Sequence, residues 1–454
     1  MYSSEDEGGV FVLAIQIFLI NSKKGGGFMK KEIFLTTAFV AMAILFIMPH
    51  HAFSQLKPGQ PIIIGIPTFL GHFEGAEALK TATLAVEQIN AKGGVSIKGV
   101  KHPLKIEASD IRDGAPGVPV PEALMGIEKI ILEKKVHGIV VGPFRSEALL
   151  ASMDLFAKYK VPMLGTIAMT PGSEKKILEE PEKYKYVFRV GINAPYYVGY
   201  LTGIMGFLGK EFGFKKAFMM VQDVLWARGT AAGMDAWFKK EGWEVLGMET
   251  FPTGTSDFSS ALLKVQQTGA QVIVPIFDMH ESVILVKQWN AMKVPALMAG
   301  AIPPVAGPTA WKTFEGKIEG FVNTVMEVGH LPVKKIPKSI EFNEAYKKRW
   351  GAELEGQHGP APAYDAVYIL ANAIERAGTV EADAVVAALQ KTDWMGIDGR
   401  IKFGKSQQAI FGFDPNEAAL GGGFQWRQGK RLIVFPESIA EGKIELPVGL
   451  KPAK

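Results

Sequence analysis

From Pro61 onward, short apolar runs alternate with longer segments whose apolar residues recur every three or four positions. Ile62-Ile63-Ile64-Gly65-Ile66 predicts a buried strand. A helix is expected from about Gly75, with Ala76, Leu79, Ala82, Thr83, Val86 and Ile89 on one face and Gly93-Gly94 stopping it. Leu104–Ala108, His137–Val141, Val161–Leu164 and Val187–Val190 predict further strands, with helices of about Glu122–Lys134 and Glu147–Lys158 between the middle ones. The rhythm then restarts. Strands are expected at Ala217–Val221, Glu244–Met248, Val272–Ile276, Ala296–Ala299 and Gly320–Thr324, with helices of about Ala227–Glu241, Phe258–Thr268 and Glu281–Met292. Helices at Ser339–Trp350, Ala363–Ala377 and Glu381–Gln390 follow, and strands at Arg400–Phe403, Gly423–Arg427 and Arg431–Phe435 close the chain. Continuous apolar strands between helices mean parallel sheets covered on both faces. Two consecutive α/β series with no Pro/Ser-rich linker between them predict two lobes rather than separate domains.

The first 54 residues follow another pattern. Met29 precedes Lys30 and Lys31, then the 16-residue apolar run Ile33–Met48, then Ala52-Phe53-Ser54 in small-x-small form. That order is a secretory signal peptide, with cleavage expected before Gln55. As a helix the run would span roughly 24 Å, short of the roughly 30 Å hydrocarbon core, which argues for export with cleavage over a retained anchor. Residues 1–28 do not fit an export signal, because Glu5, Asp6 and Glu7 stand where the charge should be positive. Lys23–Phe28 reads as a translated ribosome-binding sequence, so Met29 is the expected start and 1–28 a non-native leader.

Composition narrows the function. Of 454 residues, 48% are hydrophobic and 21% charged, which fits a large core and excludes a disordered or coiled-coil chain. Fifty Lys and Arg against 46 Asp and Glu leave +4, unchanged by removal of the leader. With no basic cluster among aromatics, nucleic acid is not an expected partner. The absence of cysteine excludes disulfides, thiolate catalysis, cysteine zinc sites and acylation of an N-terminal cysteine. The histidines beyond the leader (His72, His102, His137, His280, His330 and His358) form no HxH or HExxH, and there is no G-x-S-x-G elbow. Gly399–Ser406 matches GxxxxGK[ST], but a polar stretch precedes it and no helical pattern follows, so a phosphate loop is not expected. Nothing points to an enzyme, a metal or a cofactor.

The segment that stands out is Gly142-Pro143-Phe144-Arg145-Ser146-Glu147, directly after a buried strand. Ser146 is placed to cap the next helix, worth about 1 kcal/mol. Equally, a helix N-terminus at the carboxyl end of a parallel strand is a ready site for a carboxylate. The local pattern leaves both readings open.

Several segments in order carry a resemblance. They are Ile64-Gly65 with Gly75, Ala85–Gly94, Val140-Val141-Gly142-Pro143 with Ser146, Phe188-Arg189, Thr253–Ser259, Tyr364–Val367 and Gly396–Phe403. Across nearly all of 61–435 the chain resembles the periplasmic substrate-binding proteins of branched-chain amino-acid ABC transporters. The resemblance implies an α/β type I periplasmic-binding-protein fold, two doubly wound lobes joined by three crossovers. Lobe 1 would hold 61–193 and 325–394, and lobe 2 would hold 194–324 and 395–450. It also implies a small-molecule ligand caught between the lobes, an inner-membrane ABC permease as partner and a periplasmic location. A ligand-sensing regulator on the same fold is the alternative role.

For the site, the resemblance implies Ser146 on the ligand carboxylate and a backbone contact at Ala168, with Met169 or Thr170 at a position the family gives to a hydroxyl residue. Trp226 stands where a ligand-facing tyrosine is expected, with core packing as its other reading. Glu74 falls at a further tyrosine position in a loop with His72 and Phe73, and Asp278 or Phe277 follows the strand Val272–Ile276. Amino-acid binders place an acid near Ala299–Ile302 to pair the ligand ammonium, and this sequence has none there. Asp278 and Glu74 are then the acids available for an α-amino acid. Otherwise the ligand is an amine-free acid or amide, aromatic ones included, held by Ser146 and Arg145 against Trp226 and Phe73. Asp278 has a helix-capping or solvated role as its other reading, and Arg145 a solvated or lobe-bridging one.

Overall fold

The computed structural model describes residues 56–453; the expected signal peptide, its cleavage site and the start at Met29 lie outside them. Two sheets organise the chain. The first has the order β4-β1-β5-β6-β7, all parallel, from β1 (Ile62–Thr68), β4 (Leu104–Asp110), β5 (Gly138–Val141), β6 (Met163–Gly165) and β7 (Val187–Arg189). The hairpin β2–β3 (Val95–Ile97, Val100–His102) precedes β4. The second sheet has the order β16-β15-β12-β11-β10-β8-β9. Its parallel part is β8 (Lys216–Gln222), β9 (Glu244–Phe251), β10 (Val272–Ile276), β11 (Leu297–Gly300) and β12 (Val322–Val325). After the hairpin β13–β14 (Asp393–Gly396, Gly399–Lys402), strands β15 (Gly422–Arg427) and β16 (Lys430–Phe435) add to β12 antiparallel.

The central strands, such as β5 and β10, are buried along their length because helices cover the sheets on both faces, whereas the edge strands β4 and β9 are mostly half-buried or exposed. On the first sheet, α1 (Phe73–Ala91) packs along a late helix, Pro360–Ala377, while α2 (Val120–Lys134) packs along α3 (Ser146–Tyr159). The late helix therefore brings the chain back to the first sheet after it has built most of the second. Three passages result, near 190–193, near 326–330 and between 409 and 422. The hairpin β13–β14 stays beside the first sheet: Asp365 accepts the Trp394 indole N–H at 3.0 Å and the Ile397 N–H at 2.8 Å. Residues 407–409 then run along the edge of β7, bonded to Arg189 on both sides. The Gly399–Ser406 segment is thus part of a hairpin with no helix after it, and offers no phosphate cradle.

One long helix, α4 (Ala194–Phe212), is absent from the periodicity because it is apolar on nearly every side, so no single stripe marks it. Its ends are legible: the Asn193 side chain accepts the Tyr196 N–H at 2.8 Å as an N-cap, Pro195 falls in the first turn and Gly213 ends it with φ +71°. Among the described residues no helix is long and apolar enough to cross a membrane.

Candidate ligand-binding cleft

In each sheet one strand has its connections leaving in opposite directions, which opens a crevice at the carboxyl ends. In the first sheet this lies between β1 and β5, and in the second between β8 and β10. The loops after these four strands supply the start of α1, Phe144, Trp226 and Asp278. Their side chains line one cavity together with Glu74, Ile167, Met169, Met326, Gln357 and His358. The space left inside is about 10 Å³, room for roughly one water molecule. The loops after β5 and β10 are drawn together across it.

What draws them together is Asp278. Its Oδ2 meets Arg145 Nη1 at 2.6 Å and accepts the Trp226 indole N–H at 2.5 Å, while Oδ1 accepts Gln222 Nε2 at 2.8 Å. Gln222 in turn accepts the Asp278 and Met279 N–H groups at 2.9 and 3.0 Å. The Arg145 and Asp278 side chains are each 11% exposed. Burial is the largest influence on the Asp278 carboxyl and would raise it, but the facing guanidinium and the Trp226 donor, with the other nearby groups, together hold it below its ordinary range. His72 contributes no charge, since burial pushes its ring down to about 4. In that neutral form Nδ1 accepts the Glu74 N–H at 3.3 Å, capping α1, and Nε2 donates to the Asp278 carbonyl at 3.2 Å. His72 is thus a second tie between the loops.

Two of the buried side-chain oxygens without a partner belong to residues singled out in the sequence, Glu74 on the cavity wall and Ser146 at the start of α3, outside that wall. Glu74 is 1% exposed, and its Oε1 bonds to nothing; Ser146 is 2% exposed, and its hydroxyl bonds to nothing. Ser146 is the first residue of α3, and no side chain caps that helix, so the capping reading is not realised. The hydroxyl stands beside the free N–H groups of the first turn. Upstream, Val141 has φ +73°, a conformation a β-branched residue rarely adopts; it turns the chain into Gly142-Pro143, and of the next three residues Phe144 lines the cavity while Arg145 and Ser146 do not.

Burial raises the Glu74 carboxyl to about 8, so at neutral pH it is protonated. The folded protein then holds a proton that the unfolded chain releases near the ordinary glutamate value of 4.5, and this contribution to stability falls as pH rises from there through about 8. Glu74→Gln keeps the shape and removes the titration. We expect the variant's unfolding free energy, from thermal melts, to gain on that of the parent by a margin that grows from pH 5 to pH 8, on the order of a few kcal/mol at the upper end. An equal margin at both pH values would contradict the shift.

Behind the cavity lies a second buried pair. Glu327, fully buried, faces His358 Nδ1 at 3.0 Å and accepts N–H groups from Ile192 at 3.0 Å and Gly359 at 3.2 Å. His358 Nε2 donates to the Ile167 carbonyl. With a carboxylate on one nitrogen and a carbonyl on the other, the ring is held as imidazolium. Burial is the largest influence on the ring and would lower it, but Glu327 together with Glu74 and the Ile167 carbonyl raises it; at Glu327 burial is again the largest influence, and His358 together with His330 and the Ile192 N–H holds that carboxyl low. Gly359 has φ +91°, which lets its N–H and the preceding imidazole turn to the same carboxylate.

Of the residues singled out in the sequence, Glu74, Met169, Trp226 and Asp278 line the cavity. Arg145 and His72 reach it through Asp278. Ala168 is buried next to Met169. The Phe73 ring lies tilted against His72, centroids 4.5 Å apart, and meets His280 edge-on at 6.5 Å. Thr170 is occupied elsewhere: its hydroxyl accepts the Gly172 N–H at 3.1 Å and its carbonyl accepts Arg189. Phe277 packs in the second sheet's core against Phe251 and Phe258. Ala301 and Ile302 are fully buried, so no titratable group faces the cavity from there. The sequence reading passed over Phe144, Ile167, Met326, Gln357 and His358. Phe144 lay inside the Gly142–Glu147 segment, and Gln357-His358 directly precede the glycine and proline that open the late helix; these were signals that could have found them.

A family model described as periplasmic binding protein matches residues 70–412. A Leu/Ile/Val-binding protein homolog of Brucella abortus (strain 2308) is 25% identical over 383 residues, 82% of this chain and 88% of that protein. Among solved structures, the branched-chain amino acid transporter substrate-binding protein of Streptococcus pneumoniae in complex with isoleucine is similar with a TM-score of 0.66 at 22% identity, covering 83% of this chain and all of that one. A solute-binding protein of an ABC transporter from R. palustris in complex with benzoate gives a TM-score of 0.66 at 14% identity, covering 86% and 99%. These structures share the type I periplasmic-binding-protein fold.

Proposed function

The chain belongs to the periplasmic binding protein family, and on that premise we propose that it captures a small amine-free carboxylate between two lobes and delivers it to an ABC importer. The lobes are the units built on the two sheets, and the leader read in the sequence carries the protein to the periplasm. The work is binding, with no covalent chemistry.

The observation that carries the ligand class is the commitment of Asp278 to Arg145. The acid available in the second sheet's loop to pair a ligand ammonium already has a cation from the protein itself. A ligand bringing its own ammonium would meet Glu74 only, and at neutral pH Glu74 is a neutral carboxyl. A carboxylate instead finds three kinds of donor nearby: the Ser146 hydroxyl, the first-turn N–H groups of α3 and the Arg145 guanidinium. Phe144, Ile167, Met169, Met326 and Trp226 give the cleft apolar walls for the rest of the molecule. Entry of any such ligand requires the loops to part, since the closed cleft has room for about one water.

Calorimetry with matched pairs tests the class: 4-methylpentanoate against leucine, and 3-phenylpropanoate against phenylalanine. The amine-free member of a pair is expected to bind more tightly, and tighter binding of the amino acid would overturn the reading. Ser146→Ala is expected to weaken the bound acid by about 1–3 kcal/mol; unchanged affinity would remove Ser146 from the site. One observation favours the other reading. The orphaned Glu74 Oε1 is placed to accept a ligand ammonium, in which case Glu74→Gln abolishes binding, whereas an amine-free acid tolerates it.

A further inference from the structure

We propose that the protein carries a second small-molecule site, outside the cleft, that takes a planar aromatic anion. A cavity of about 540 Å³ opens where the carboxyl-terminal end of α1, the helix Pro337–Trp350, the helix Pro360–Ala377 and the hairpin β13–β14 meet. That volume lies in the range of ordinary ligand pockets. Gln88, on its wall, is fourteen residues along α1 from Glu74, about 21 Å at helical rise, so the two sites are separate.

The wall is a run of rings. Phe342 lies 4.7 Å from Tyr364, Tyr364 lies 5.0 Å from Tyr368, and Tyr368 lies 5.8 Å from Trp394 at an interplanar angle of 20°. Each polar edge of this run is already bonded inside the protein. The Tyr364 and Tyr368 hydroxyls both donate to Gln88 Oε1, at 2.5 and 2.9 Å, and the Trp394 indole N–H donates to the buried Asp365. The rings are therefore held in place, and what they offer an occupant is π surface rather than hydrogen-bonding edges. A sugar, which needs many such edges, is a poor fit.

The exposed charges at the cavity are Lys92, Lys338 and Glu341, and the Asp365 carboxyl is buried and bonded to Trp394. Lys338 lies over Trp394 at 4.9 Å and donates to the Met395 carbonyl, so it is already placed. Lys92, exposed at the rim, makes no ion pair or side-chain hydrogen bond among the described residues. A flat ring packed on the aromatic wall with its acid group toward Lys92 uses both features, and neither feature serves the cleft.

The test is two-dimensional NMR of the full chain titrated with 2-naphthoate, following indole N–H signals. Trp394 reports this site and Trp226 reports the cleft. The Trp394 signal is expected to shift saturably, with binding at least fivefold weaker in Lys92→Glu and at least fivefold weaker for the neutral 2-naphthamide. Lys92 is exposed, so its substitution leaves the fold intact. A Trp394 signal that stays still, a shift confined to Trp226, or equal affinity in Lys92→Glu or for 2-naphthamide would each overturn the proposal.

Discussion

Glu327→Ala is expected to lower the unfolding free energy by about 3–5 kcal/mol, the largest loss from any single substitution discussed for this protein. The cause is what the substitution leaves behind. His358 would remain buried with its charge unpaired, and the N–H groups of Ile192 and Gly359 would lose their acceptor. These groups come from three stretches of chain that are distant in sequence. Ile192 is in the first passage between the sheets, Glu327 follows β12 in the second, and Gly359 opens the late helix. Losing one carboxylate loosens all three, and Ile167 loses its fixed partner as the imidazole relaxes.

The pH dependence follows from the two shifts. His358 is raised, so its contribution is present below its unfolded pKa of about 6.5 and is lost as pH rises through the folded value. Glu327 is lowered, so its contribution is present above about 4.5 and is lost as pH falls through its folded value. The stabilising window therefore lies between these limits. Thermal melts from pH 4 to pH 9 should show the difference between parent and Glu327→Ala greatest inside that window. A difference under 1 kcal/mol throughout would mean the pair contributes nothing beyond its desolvation.

Much of this fold was legible because buried parallel strands and amphipathic helices leave strong periodic signals. Ile62–Ile66 and Val272–Ile276 are apolar throughout; in α1 the helix was legible but its face only in part, since Ala82, Val86 and Ile89 are buried while Ala76, Leu79 and Thr83 are half-buried and Ala78 and Ala85 take the buried side. Helix α4 was not legible because it is apolar all round. The four-residue helices at Pro303–Ala306 and Ala310–Thr313 are too short to show a period. The site was legible where a residue type was odd for its local pattern, as with Ser146 after a buried strand or Trp226 at the start of a helix. His358 and Met326 were not, because their importance comes from passages that bring residues 167, 192, 327 and 358 together. No local window contains that meeting. The identity of Arg145 was visible, but that its partner would be Asp278, 133 positions away, is a fact of the closed cleft.

Arg145→Ala is expected to reverse the ligand preference, weakening an amine-free acid about 100-fold and giving the matched α-amino acid measurable affinity. Removing one partner of a desolvated, hydrogen-bonded charge pair typically costs 2–5 kcal/mol, and 100-fold corresponds to about 2.7 kcal/mol. The loss on the acid follows from the missing guanidinium, since Ser146 and the α3 N-terminus would act alone. The gain on the amino acid follows from Asp278. Without Arg145 it keeps the Trp226 and Gln222 donors but no cation, and a buried carboxylate in that state favours an incoming ammonium. Arg145→Lys separates charge from geometry: an ammonium can face Asp278 but cannot serve two acids with a rigid fork, so intermediate affinity is expected. Calorimetry with 3-phenylpropanoate and phenylalanine on the parent and both variants measures this. If Arg145→Ala leaves the acid's affinity intact, Arg145 only bridges the two loops. If it weakens both ligands equally, closure rather than charge recognition is what the residue supplies, and Asp278 is not the switch between ligand classes.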